Sequence, residues 1–236
     1  MSSPSTQVVC RRCGECCRKG GPALHREDLC FVRDGSIELA DLVTLRQGEL
    51  AWDQPSQSLL PLAAEIVKIR GVAPNSWRCV FFDAGACAVY ATRPAECRAL
   101  ACWDTAAIEA MYTVGRVRRG DILPAGASLS ALIEEHETRC AYAMLEELAR
   151  DFKAGCAAAS AALVERVRYD HAVRELVSER AAATLPGLAA ALDFLFGRPL
   201  EQTLVMYGLG VRRSGSAFSI VRARKKFEGA VEAGCL

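Results

Sequence analysis

Long apolar runs are missing from this chain. No stretch approaches the roughly 18 consecutive apolar residues that a membrane helix needs. The best candidate, Leu188 to Phe196, is short and contains Asp193. No membrane partner is therefore expected. The opening MSSPSTQVVC has neither a basic n-region nor an apolar h-region, so no secretory signal is expected either. Cys235 is next to last, and a prenylation box needs the fourth-last position. Charge of one sign is also missing: 29 Lys and Arg face 28 Asp and Glu, a formal net charge of +1. No whole-chain field draws this protein to nucleic acid. There is no Walker loop, dinucleotide-binding glycine pattern, nucleophile elbow or HExxH motif. No internal repeat is evident. Aromatics are few and alanine is plentiful, which favours helix.

What the chain has instead is cysteine. Four fall within eight residues, in Cys10-Arg-Arg-Cys13-Gly-Glu-Cys16-Cys17. The expected compartment is the cytoplasm, where thiols stay reduced. A dense cysteine pattern there reads as metal or redox chemistry rather than a disulfide scaffold. Two thiolates separated by two residues can turn onto one centre from a tight knuckle, with a Gly to relieve the backbone. Zinc and iron–sulfur sites both use this spacing. Cys16 and Cys17 are neighbours, so different roles are expected for them. Arg11, Arg12, Arg18 and Lys19 flank the knuckle against a single Glu15. Cations there would lower thiol pKa values and stabilise a thiolate centre. No aromatics are interleaved with them, which argues against nucleic acid.

A second group comprises Cys79, Cys87, Cys97 and Cys102. Val80, Phe81 and Phe82, a turn at Asp83-Ala-Gly85, and Ala88-Val89-Tyr90 predict a hairpin bracketed by Cys79 and Cys87. Pro94 opens a predicted short helix that puts Cys97 at its first turn, where the dipole favours a thiolate. Trp77, Phe81 and Phe82 are expected to form a dry shell around the centre.

The ordered set Cys10-x-x-Cys13-Gly-x-Cys16-Cys17-Arg18, Gly20-Gly21-Pro22, Asp28, Cys79-Val-Phe-Phe, Cys87-Ala-Val-Tyr90 and Arg93-Pro94-x-x-Cys97-Arg98 resembles the CxxCxxCC family. These are zinc- or iron-chelating domains, also called the YkgJ-like cysteine-cluster family. The resemblance covers about residues 8–104. It departs after Arg98, where Ala99-Leu100-Ala101 stands in place of the family's apolar residue and Pro, before Cys102. The resemblance implies metal ligands at Cys10, Cys13, Cys16, Cys17, Cys79, Cys87, Cys97 and Cys102, holding zinc or an iron–sulfur cluster such as 4Fe-4S. One activity known among relatives is that of the flagellin lysine N-methylases. A metal-dependent protein-modifying enzyme is thus one alternative, with a protein substrate, although no glycine-rich methyl-donor pocket is visible. A zinc-stapled module that binds a protein partner is another.

The remaining chain is mostly patterned for helix. The expected fold is mainly α: an irregular cysteine-rich metal module with a short β-hairpin, then an α-helical bundle region. The expected division is 1–104, with a helical insertion at about 23–76, and 105–236. Glu38 to Arg46 reads as a short helix, and Leu59 to Ile69 as strand or helix. Asp104 or Thr105 caps a helix to about Val117. One long helix is expected from Ser128 or Ser130 to about Lys153, with Leu132, Ile133, Cys140, Ala141, Leu145, Leu148 and Phe152 on its apolar stripe. After Gly155 another runs from Cys156 to Ala183, with Leu163, Val164, Val167, Leu176 and Val177 inward. Short helices are expected near 186–196 and 199–207, and a strand near 216–221. His25 reads as a surface residue at a helix start and Cys30 as a small buried hydrophobe. His136 and Cys140 share a helical face, where packing outweighs ligation. His171 is a weaker ligand candidate still. Cys156 and Cys235 have no partner by spacing. Residues 1–9 read as a disordered start, and Arg222, Arg224, Lys225 and Lys226 as a solvated basic end.

Overall fold

The computed structural model describes residues 10–74, 76–123, 128–182 and 186–223. Residues 1–9, Pro124, Arg224, Lys225, Lys226 and Cys235 lie outside the described residues.

The elements run in order as follows. Helices α1 (Glu15–Lys19) and α2 (Leu29–Arg33) come first. A run of short strands follows: β1 (Leu42–Leu45), β2 (Leu50–Asp53), β3 (Ser58–Pro61), β4 (Ile66–Ile69), β5 (Gly71–Ala73), β6 (Ser76–Cys79), β7 (Phe82–Asp83) and β8 (Ala86–Cys87). Then come α3 (Ala95–Ala99), α4 (Ala106–Met111), α5 (Arg119–Ile122), α6 (Ser128–Arg139), α7 (Tyr142–Lys153), α8 (Ala157–Ala182), α9 (Pro186–Ala189), α10 (Leu192–Phe196) and α11 (Leu200–Thr203). A closing hairpin pairs β9 (Leu209–Ser214) with β10 (Ala217–Arg222).

The mainly-α expectation is corrected. Among the described residues helix accounts for 47% and strand for 22%, with five small antiparallel two-strand sheets, so strand is too abundant for that class. The excess sits where a helical insertion was expected. Leu39–Asp41 is a single 3-10 turn, and Leu42-Val-Thr-Leu45 then extends as β1 against β4. All four β1 residues are buried. A short, mostly apolar run with β-branched Val43 and Thr44 is a buried strand, and length separates it from a helix. Leu59–Ile69 likewise divides between β3 and β4.

The predicted helix over 128–153 breaks into α6 and α7. Ala141 is extended, at φ −57° and ψ 131°. The Cys140 carbonyl accepts a hydrogen bond from Arg46 Nη1 at 3.3 Å, inside the core. A buried guanidinium has taken a carbonyl, and the helical ladder stops there. The next long helix matches expectation closely, as α8. Its buried positions Ala159, Leu163, Val167, Asp170, Val173, Arg174, Val177 and Ala181 follow the 3.6-residue period. Leu176 does not: it is exposed on the opposite side. Gly155, at φ 93°, makes the turn between α7 and α8. Helix α4 stops at Met111 rather than Val117, and Val117 is fully buried. Among the described residues no helix is long and apolar enough to cross a membrane.

Two apolar clusters form. The first joins Leu24, Leu42, Val67, Ile69, Cys79 and Phe82 to Val173, Val177 and the α10 residues Phe194, Leu195 and Phe196. The second joins Tyr142, Leu145, Leu163, Val167, Leu200, Leu204 and Ile220. Asp170 stands between them on α8. Its carboxylate accepts from His136 Nε2 at 2.8 Å, Arg174 Nε at 2.9 Å and the Leu200 N–H at 2.9 Å. Burial alone would raise its pKa. The His136 hydrogen bond, the Arg174 charge and the Leu200 N–H outweigh burial and hold it at about 2. Burial pushes the His136 imidazole down, so the neutral ring donates to Asp170.

Both shifts act in one direction with pH. The unfolded chain takes up protons that the folded one refuses, so acid favours unfolding. Stability should begin to fall below about pH 6.5 through His136 and fall further between about 3.8 and 2 through Asp170. The Asp170 part is worth about 2 kcal/mol. Asp170→Asn should cost about 3 kcal/mol at neutral pH, because it takes from buried Arg174 the nearer of its two carboxylates and leaves only half-exposed Asp193. Denaturant unfolding of both proteins from pH 3 to 8 checks this. A variant as stable as the parent at neutral pH would refute it.

Candidate metal centre

The first cysteine group is held by one ring. Gly14 adopts φ 79°, and a Cβ built on it would lie 2.1 Å from the Phe82 ring. Only glycine fits, both for the left-handed backbone and for the close approach. α1 starts directly after this turn and carries Cys16 and Cys17, whose sulfurs are 3.9 Å apart. Cys16 is exposed and Cys17 is half-buried against the first apolar cluster. The neighbouring cysteines therefore do differ in environment. Arg18 folds back over the knuckle, donating from Nη1 to the Cys13 carbonyl at 3.1 Å and to Glu15 at 2.6 Å.

The second group is placed by two hairpins rather than one. Cys79 ends β6 and pairs with Gly71 of β5. Cys87 ends β8 and faces Phe82 of β7. The turn between β7 and β8 has Ala84 at φ 45° and Gly85 at φ 83°. Two positive φ values in a two-residue loop match the twist of a tight hairpin. Pro94 precedes α3, and Cys97 is its third residue.

Two carboxylates stitch these segments together. Asp28 is fully buried and accepts from the His25 N–H and the Ala95 N–H, both at 2.9 Å. Glu96, beside Cys97, accepts from the Ala23 N–H at 2.8 Å. Glu96 also contacts His25 Nε2 at 3.3 Å and Arg116 at 3.7 Å. Glu96 was not singled out from the sequence. Its only signal was its place between Pro94 and Cys97. His25 is not a surface residue: it is 4% exposed, with Nδ1 2.8 Å from the Val114 carbonyl.

Cys16, Cys17, Cys79, Cys87 and Cys97 come near enough to one another that neighbouring thiols disfavour ionisation of Cys17, Cys79 and Cys97. Burial, then the charge of Cys16, pushes the Cys17 thiol up to about 12. Burial also raises Cys79 and, with the other thiols, raises Cys97 well above the ordinary thiol range. The helix terminus does not lower Cys97 as the sequence suggested, because desolvation and four neighbouring thiols outweigh a five-residue helix. Among the described residues, no three Cys, His, Asp or Glu are grouped tightly enough to hold one ion as they stand. The donor chemistry nevertheless fits a thiophilic metal. Neighbouring thiols disfavour the ionised forms of Cys17, Cys79 and Cys97, and a bound cation would reverse that penalty.

The other three predicted ligands, Cys10, Cys13 and Cys102, are exposed. Cys30 is exposed rather than buried, with its thiol donating to the Glu27 carbonyl at 3.2 Å. The expected dry shell is partial: Phe82 is buried, Phe81 is partly so, and Trp77 is 56% exposed under Arg198. His136 packs between Asp170 and the Tyr169 and Phe196 rings, and Cys140 is buried apart from the other cysteines. His171 takes a hydrogen-bond contact from Arg213, and Cys156 is exposed.

Residues 9–115 match the family model described as CxxCxxCC, putative zinc- or iron-chelating domain. No curated protein and no solved structure matches the chain.

The Gly14 contact makes a sharp expectation. Gly14→Ala should destabilise the fold by about 2 kcal/mol, from overpacking against Phe82 and from the strained backbone. Gly115, at φ 69° with no atom within 4 Å of its would-be Cβ, isolates the backbone part of that cost. Gly115→Ala should cost about 1 kcal/mol. Equal losses for the two variants in urea unfolding would show that the Phe82 contact carries nothing.

Proposed function

We propose, from the premise that residues 9–115 belong to the CxxCxxCC family, that this chain binds zinc or an iron–sulfur cluster through cysteine thiolates. Cys16, Cys17, Cys79, Cys87 and Cys97 form the inner donor set. Cys10, Cys13 and Cys102 complete it from the exposed side. The single observation behind this reading is that five free cysteines from four separate segments come near one another around Cys17, Cys79 and Cys97. Nothing in ordinary packing calls for that. A lone buried cysteine behaves as a small hydrophobe, and Cys140 does so here.

Thiolate donors select soft or borderline cations, which fits zinc and iron and excludes calcium or magnesium. When bound, zinc supplies a redox-inert staple or a Lewis acid, and an iron–sulfur cluster supplies electron transfer. The chain's own contribution is positional. The Gly14–Phe82 contact sets the knuckle, and Asp28 and Glu96 fix α3 beneath it. Arg18 and Arg12 place positive charge at the rim, over the Phe82 and Tyr90 rings. A reducing cytoplasm suits such thiols.

Anaerobic purification, metal analysis and an absorption spectrum on one sample test the reading. Iron with sulfide and broad absorption near ~400 nm would identify a cluster. Stoichiometric zinc in a colourless protein would identify a staple or Lewis-acid site. Cys97→Ser should lose most of the metal, whereas Cys156→Ser should keep it. Equal metal content in these two variants, or neither metal in the parent, would overturn the proposal.

A further inference from the structure

The cysteine centre is ringed by unbalanced positive charge. Residues 10–22 and 76–98 hold seven cations, Arg11, Arg12, Arg18, Lys19, Arg78, Arg93 and Arg98, against Glu15, Asp83 and Glu96. That surplus of four stands in a chain whose net charge is only +1. Internal pairing accounts for part of it: Arg18 with Glu15, Arg98 with Glu27, and Arg78 with Asp83 at 3.8 Å.

Three arginines have no such partner. Arg11 is exposed and, among the described residues, makes no ion pair. Arg12 lies with its guanidinium 4.2 Å from the Tyr90 ring centre, and Arg93 lies at the same distance from the same ring. Arg93 donates to the Tyr90 carbonyl at 2.9 Å and to no carboxylate. One ring thus gathers two like charges. Cation–π contacts hold them in place without neutralising them. Arg12 does this from a left-handed backbone, at φ 55°, which is uncommon for a residue with a side chain. Exposed Cys10 and Cys13 sit on either side of Arg11 and Arg12.

We propose that this rim is a docking surface for an acidic protein segment, whose carboxylates engage Arg11, Arg12 and Arg93 and seat it over the Cys10–Cys13 knuckle. Planar guanidiniums pair with carboxylates through two parallel hydrogen bonds, so several fixed forks favour a multivalent acidic surface. The rim's aromatic faces do not favour nucleic acid. Tyr90 is covered by two guanidiniums, and Phe82 is buried beneath Arg18. The docking argument rests on charge and does not depend on which metal the thiols hold.

Binding of a fluorescein-labelled oligo-glutamate to the full chain, followed by anisotropy at low and at physiological salt, tests it. Metal content is measured on every sample, so a failure of docking is distinguished from a failure of the metal reading. The parent should bind, and more weakly as salt rises. The double variant Arg11→Glu with Arg12→Glu should bind about tenfold more weakly or worse. Arg212→Glu with Arg213→Glu, the same charge change on β9, should leave binding unchanged. No binding by the parent would overturn the proposal, as would equal losses in both variants. Tighter binding to oligo-dT than to oligo-glutamate at matched salt would also overturn it, because the partner would then be nucleic acid.

Discussion

The cysteine centre depends on two carboxylates, buried Asp28 and half-buried Glu96, meeting backbone N–H groups far along the chain. Asp28 reaches Ala95 across 67 residues, and Glu96 reaches back to Ala23 across 73. Each bond removes an orphan donor that would otherwise be costly to bury. Together they fix the chain just after the first cysteine group against α3, which carries Cys97. Burial raises the Asp28 pKa despite its hydrogen bonds to His25 and Ala95. The site therefore holds the carboxylate at a desolvation cost, and that cost makes sense where it sets the register of two distant segments. Without this register the two groups of thiols would have no reason to face one another.

The assembled centre is electrostatically uncomfortable. Cys17 and Cys97 both resist ionisation, first through burial and then through neighbouring thiols. A basic rim lies close by, yet it does not bring these thiols into the thiolate range. Guanidiniums over Phe82 and Tyr90 are spent partly on the rings and partly on carbonyl groups. A cation placed among the sulfurs would act at much shorter range than the rim does. This division separates the two charge features of the site: the interior thiols resist ionisation, while the exterior carries exposed arginines.

Much of this was legible in the sequence and some was not, for physical reasons. The cysteine pattern, the glycine in the knuckle, Pro94 before α3 and the long α8 all rest on local rules, and local rules survive folding. The 42–45 segment misled because three apolar residues and a threonine fit a helix turn and a buried strand equally, and tertiary burial decided. The break at Ala141 was invisible because its cause, Arg46, lies 94 residues away from Cys140. Cys97 was misread because a helix-terminus rule was applied without knowing how deeply the thiol would be buried. His25 and Glu96 failed for the same reason as Ala141: their partners are remote.

Cys79 shows why the centre and the fold cannot be separated cleanly. It is 6% exposed and belongs to the same apolar cluster as Ile69, Phe82, Val177 and Phe194. It also contributes to the charge felt by Cys17 and Cys97. One side chain thus serves the packing of the strand region against α8 and α10, and the thiol group that faces α1. Anything that draws the sulfurs together pulls on atoms already close-packed, and packed interiors transmit such strain rather than absorb it. Filling the thiol group and tightening the first core should therefore be one cooperative event, as in small metal domains whose binding energy is folding energy. The second core, centred on Leu145, Leu163 and Leu204, shares no cysteine with that group. It meets the first at α8, where Asp170 makes its three hydrogen bonds.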